Sequence, residues 1–180
     1  MNLSREKIIE YSKRYDAGFK GTPDELIEKK LKIWFRDHRY LDRQNFIKLG
    51  LWKSARQEKN YKSKENDNIT VKEITGFALS TKSEKARIES LMVLKGVSWS
   101  VASVILHFAF PDEYPILDFR AIESLGWEQP KDYDFQFWQK YVSELRKLAK
   151  KYNVSLRELD KALWSYSKES LKNPSRQLRS

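Results

Sequence analysis

The sequence predicts an all-α fold, and three observations point there. Helix-start signals recur along it: Thr22-Pro23-Asp24-Glu25 and Ser155-Leu156-Arg157-Glu158 each set a side-chain cap ahead of a glutamate. No stretch alternates apolar and polar residues as a half-buried strand does. The segments between the helical stretches are short. At 180 residues the chain is long enough for one domain with a sizeable core and short for two. One unit over residues 1–171 is expected, followed by a basic tail over 172–180.

In chain order, Ser4 is expected to cap a first helix to about Tyr15, ended by Gly18. Thr22 caps a second to about Asp37, with Pro23 at its first position. Asp42 caps a third, ended by Gly50. The polar stretch from Glu58 to Asn68 reads as an exposed loop. Thr70-x-x-Glu73 opens a helix to about Leu79, and Thr81-x-x-Glu84 opens the next. Asp134 begins a long helix to about Tyr152, and Ser155 caps the last one, to about Leu171. No internal repeat is visible.

The most informative stretch is Leu91 to Trp127, LMVLKGVSWSVASVILHFAFPDEYPILDFRAIESLGW. An apolar helix end, Leu91 and Leu94, meets a tight turn at Lys95-Gly96-Val97-Ser98. A second apolar helix follows, from about Trp99 to Phe110. Gly96 permits a turn that a Cβ would obstruct. The turn presents amide groups at the start of the second helix, where the dipole adds positive potential: an anion site suited to a DNA phosphate. Ala102 is small enough for close helix crossing. Leu91, Leu94, Val97, Val101, Ile105 and Leu106 form the apolar seam. Pro115-Ile116-Leu117-Asp118 then leads into another helix.

This stretch resembles the helix-hairpin-helix of the HhH-GPD superfamily of DNA glycosylases. Members carry L-x-G-h-G-x-x-x-A upstream of an aspartate that acts on the glycosidic bond. Here Gly96 precedes Asp118 by 22 positions, similar to the family's spacing, and the likeness is sharp over 37 residues. It implies a two-lobed all-α glycosylase fold, with a cleft between the lobes, the hairpin at about 82–110 on its rim, and the first and last helices packed together. It also implies duplex DNA as partner, in base excision repair. Asp118 is then the catalytic residue: a carboxylate beside the sugar stabilises oxocarbenium character and orients water. As a structural alternative, Asp118 is an N-cap. Lys95, Gly96, Val97, Ser98, Trp99, Ser100 and Arg120 are the candidate DNA contacts.

The sequence departs from the family in three places. Bifunctional members carry a lysine four residues after the first hairpin glycine, which attacks the sugar and forms a Schiff base. Ser100 stands there, so the resemblance implies a monofunctional enzyme and no covalent adduct under borohydride. Ser98 stands where the hairpin has its second glycine, and serine tolerates positive φ poorly. Phe119-Arg120 follow the aspartate in place of a small polar residue and His or Asn.

Composition narrows the partners. Lys and Arg number 35 against 25 Asp and Glu, a net charge of +10, which favours a polyanion. Lys82, Lys85, Arg87, Lys95 and Arg120 are candidates for a phosphate-facing patch, and Lys168, Lys172, Arg176 and Arg179 for nonspecific attraction. With no cysteine, disulfide-linked partners, cysteine-ligated zinc and the four-cysteine iron–sulfur cluster of some relatives are excluded. No cofactor or metal is expected. No apolar signal core or membrane-length run occurs, so a cytoplasmic location without membrane partners is expected. Trp34, Phe35, His38, Tyr40, Trp52, Trp99 and Trp127 are aromatics available to core or base pocket, with core favoured. His107, among apolar residues, reads as a satisfied core histidine. Three function classes stay open: a monofunctional DNA glycosylase, a non-catalytic DNA-binding protein on the same scaffold, and a helical module for a protein or RNA partner. A cleft opening onto Asp118 separates the first from the second.

Overall fold

The computed structural model describes residues 3–172, with side chains to residue 170; Lys172 as a side chain, Arg176, Arg179 and the rest of the expected tail lie outside them. The described residues are all-α, without a strand. The helices are α1 (Arg5–Phe19), α2 (Pro23–Asp37), α3 (Arg43–Ser54), α4 (Glu58–Tyr61), α5 (Asn68–Ser80), α6 (Glu84–Leu91), α7 (Trp99–Ala109), α8 (Phe119–Ser124), α9 (Phe135–Tyr152) and α10 (Leu156–Lys172). A single 3-10 turn, Ala55–Gln57, joins α3 to α4.

Side-chain caps explain most helix starts. Ser4, Thr22, Asp42, Asp118 and Asp134 each accept a first-turn amide, as their sequence positions predict. Ser155 and Glu158 form a reciprocal capping box. Two starts differ from expectation. Asp67, not Thr70, caps α5, and Ser83, not Thr81, caps α6. In both places a better acceptor lay two or three residues away from the threonine that the pattern favoured.

Two glycine stops also differ. α1 runs through Gly18 and α3 through Gly50. Gly50 serves packing instead: a Cβ there would lie 2.8 Å from the Tyr61 ring. Tyr61 belongs to the stretch expected as an exposed loop, yet it is fully buried, as is Asn66. The Asn66 amide donates to the carbonyls of Asn60, Tyr61 and Lys95 and accepts from the Lys95 amide. The stretch is therefore a packed brace for the hairpin.

Helix α7 is the centre of the fold. Every residue from Val101 to Ala109 is buried, as expected of a helix apolar on all sides. α2, α3 and α6 pack on it, and α5 packs on α6. A second group forms where α1 lies along α10, the most extensive helix pair, with α8 and α9 also on α10. The first and last helices thus pair, as the resemblance implied. Ion pairs Arg14–Glu169 and Lys161–Asp16 and the Tyr11–Tyr166 edge contact run down this pair.

Candidate active site

Between the two groups lies a cavity of about 240 Å³. Tyr15 and Phe19 of α1, Asp24 of α2, Trp52 and Lys53 of α3, and Arg157, Asp160 and Trp164 of α10 line it. Ile116, Asp118 and Ala121 complete the wall. Aromatic faces with a few charged groups among them are the usual make-up of a small-molecule or base pocket.

Asp118 is placed by a segment tied on every side. Ser103 of α7 accepts the Leu117 amide at 2.8 Å, and Asp160 accepts the Ile116 amide at 3.0 Å. The Tyr141 hydroxyl of α9 donates to the Ile116 carbonyl at 2.8 Å. His107 donates from Nδ1 to the Tyr114 carbonyl at 2.7 Å. Four buried polar side chains thus serve one extended segment, because its backbone groups would otherwise be buried unsatisfied. His107 is a core residue, as expected, but only half satisfied: Nδ1 is bonded, while the buried Nε2 has no hydrogen-bond partner among the described residues. Burial and the nearby Arg157 charge depress its imidazole to about 3, which keeps it neutral. Burial lifts the Asp160 carboxyl to about 7, against the pull of the Ile116 amide and Arg157.

Both oxygens of Asp118 are engaged. Oδ1 accepts the Arg120 amide at 3.0 Å, which caps α8. Oδ2 accepts from Lys53 Nζ at 2.5 Å. The two side chains are 17% and 12% exposed, so the pair is partly shielded yet faces the cavity. Beside it, Arg157 pairs with Glu28 at 2.8 Å. Burial pushes the Glu28 carboxyl up, but Arg157 and Lys32 overcome this and hold it at about 2. Arg157 also lies over Tyr15 and Trp52, fastening α10 to α1 and α3 beneath the cavity.

The hairpin is built between α6 and α7. Gly96 adopts φ +86, and a Cβ would lie 2.9 Å from Tyr61, so conformation and space both require glycine. Ser98 does not take the left-handed conformation that a second glycine would serve. It is extended at φ −102 and is the N-cap residue of α7, with no side-chain bond to the helix. The seam residues Leu91, Leu94, Val97, Val101, Ile105 and Leu106 are all buried, and so is Ala102.

The structure brings Asp118 into the cavity but none of Lys95, Gly96, Val97, Ser98, Trp99 and Ser100. Lys95 is exposed and pairs with Glu65 at 3.3 Å. Among the described residues Arg120 forms no ion pair. Its guanidinium lies over Phe119 and Trp164 and donates to Ser167 at 3.4 Å. Arg87 is turned onto the Phe110 and Tyr114 rings and donates to the Thr81 carbonyl, while Lys85 pairs with Glu89. Trp34 stacks on His38, and Tyr40 meets both rings edge-on, away from the cavity. Trp127 packs against Phe137, Tyr141 and Lys140.

Sequence reasoning missed Lys53, Asp160, Arg157 and the aromatic walls from α1 and α10. The signal for Lys53 was faint: a lysine beside Trp52 in an otherwise apolar stretch of α3. No protein-family model and no curated protein matches the chain. Among solved structures it is similar to that of the Methanocaldococcus jannaschii 8-oxoguanine glycosylase/lyase in complex with 15mer DNA containing 8-oxoguanine. Identity is 21% and the TM-score 0.43, over 91% of this chain and 81% of that one.

Proposed function

We propose that this protein is a DNA glycosylase that cleaves the N-glycosidic bond of an extruded, damaged or modified base in duplex DNA. The observation that carries the proposal is the position of Asp118: its carboxylate faces an aromatic-walled cavity rather than the core. Tyr15, Phe19, Trp52 and Trp164 supply faces for stacking a base. Asp118 supplies the negative charge that an oxocarbenium-like sugar requires. The first turn of α7, entered through the Gly96 turn, supplies amides for a phosphate. A cytoplasmic, DNA-accessible location accompanies this function. Ser100 has no amine, which supports hydrolysis by water in place of attack from the hairpin.

A non-catalytic DNA-binding protein on the same scaffold is the second reading. It is favoured by the engagement of both Asp118 oxygens, with Arg120 and Lys53. Asp118→Asn decides between them. Asparagine retains a capping oxygen but removes the charge. Single-turnover base release, measured as alkali-labile sites on duplexes carrying single lesions, should fall on the order of a hundredfold to a thousandfold. DNA affinity should stay near or above wild type, because repulsion against phosphates is relieved. Equal excision rates would remove Asp118 from the mechanism. A panel in which the wild type cleaves nothing would favour the non-catalytic reading.

A further inference from the structure

Lys53 is the amine nearest to Asp118, and it comes from α3 instead of the hairpin. Its Nζ lies 2.5 Å from Oδ2, and both groups line the same cavity. On the cavity side the ammonium is open to a ligand as well as to the carboxylate. It stands where a deoxyribose must lie if a base fills the cavity and Asp118 faces the sugar. A carbonyl carbon close to a lysine amine is the setting in which Schiff bases form.

We propose that Lys53 forms a Schiff base with C1′ of the deoxyribose and gives the protein a strand-cleaving lyase step at abasic sites. The inference rests on the reading that Asp118 faces the sugar. It replaces the expectation, drawn from Ser100, that no covalent adduct forms.

The step balances without a further reagent. The Lys53 ammonium passes one proton to the Asp118 carboxylate. The freed Nζ lone pair adds to the C1′ aldehyde carbon of the ring-opened abasic sugar, and its second proton moves to the oxygen. Asp118 returns its proton to that oxygen, water leaves, and C1′ and Nζ become an iminium. A carboxylate then takes a proton from C2′. The C2′–H pair forms the C2′–C3′ double bond, and the C3′–O bond breaks with its electrons on the departing phosphate. Water adds to the iminium, releases the unsaturated aldehyde and restores the amine. Borohydride intercepts the iminium by delivering hydride to C1′, leaving a secondary amine between Lys53 and DNA.

The test uses the full chain and a duplex with one preformed abasic site, so the base need not be known. Wild type is incubated with borohydride, and the adduct is digested and located by mass spectrometry. Lys53→Ala and Lys53→Arg run in parallel, with melting temperatures recorded. Arginine keeps a positive charge for Asp118, so a folded Lys53→Arg variant isolates the amine. The expected result is an adduct on the peptide carrying Lys53 in wild type, lost in both variants, with strand nicking lost too. An adduct mapped to another lysine, or one that persists in Lys53→Arg, overturns the proposal. So does the absence of any wild-type adduct. Base release from the lesion panel separates the two claims. Release without an adduct sinks Lys53 as nucleophile and leaves the glycosylase reading standing. A Lys53 adduct without release from any lesion keeps the lyase and removes the glycosylase.

Discussion

At the residue scale, the burial of Asp160 predicts how stability responds to pH. Its carboxyl is held at about 7 by burial, against about 4 in an unfolded chain. Between these values the native state binds a proton that the unfolded state has lost. Stability from this group is therefore complete below about pH 4 and is lost as pH rises through 7. Asp160→Asn removes the dependence. Denaturant unfolding at pH 5 and pH 8 should show wild type losing stability relative to the asparagine variant as pH rises. His107, whose imidazole is depressed to about 3, runs the opposite way. Its contribution is present above about 6.5 and fades as pH falls towards 3. A wild-type difference that is flat across the two pH values would show that Asp160 is not a buried acid. Asp118→Asn carries a stability consequence as well: the cap survives, but Lys53 loses its counter-charge, so the variant should melt below wild type. Asp118 was legible because its spacing from Gly96 is local and patterned. Lys53 was not, since it meets Asp118 across a separation of 65 residues, which no local pattern encodes.

At the element scale, the caps made most helix starts legible, because capping is a contact between residues two or three apart. Glycine was a poorer guide. Gly18 and Gly50 read as stops but lie within helices, and the reason for Gly50 is a ring, Tyr61, delivered by a different element. The same ring closes on Gly96. The brace from Glu58 to Asn68 thus wedges one tyrosine between α3 and the hairpin turn and pins Lys95 with Asn66. Gly96→Val should therefore act twice. It forces a β-branched residue to positive φ and pushes on Tyr61, with overpacking alone costing about 1–3 kcal/mol. We expect a lower melting temperature and weaker duplex binding, read by thermal denaturation and by titration with labelled DNA. A folded Gly96→Val variant that binds normally would show that the hairpin is not the DNA contact.

At the scale of the whole molecule, the +10 charge predicts how the proposed binding to DNA responds to salt. Phosphate neutralisation releases counterions, so affinity for duplex DNA should fall with salt at a log–log slope of about −0.9 per phosphate contacted. Titrations across a range of salt concentrations give the number of contacts. Binding that ignores salt, or none at low salt, counts against both DNA readings. The all-α class and the pairing of first and last helices were legible from start signals and resemblance. The expected phosphate patch was not assembled as drawn. Arg87 lies on Phe110 and Tyr114, while Arg120 lies on Trp164, since a guanidinium stacks on rings wherever packing offers them. Among the described residues no helix is long and apolar enough to cross a membrane.

The clasp of α1 on α10 separates the two halves of the proposed site by the length of chain that each must close. Contacts such as Arg14 to Glu169 join residues 155 positions apart, and closing so long a loop is slow. The hairpin, by contrast, needs only α6, α7 and the neighbouring brace. The proposed phosphate grip therefore depends on contacts near in sequence, whereas Tyr15, Phe19 and Trp164 become cavity walls only through contacts distant in sequence. Under the proposed function, the surface that would hold DNA rests on local contacts, and the surface that would act on it rests on distant ones.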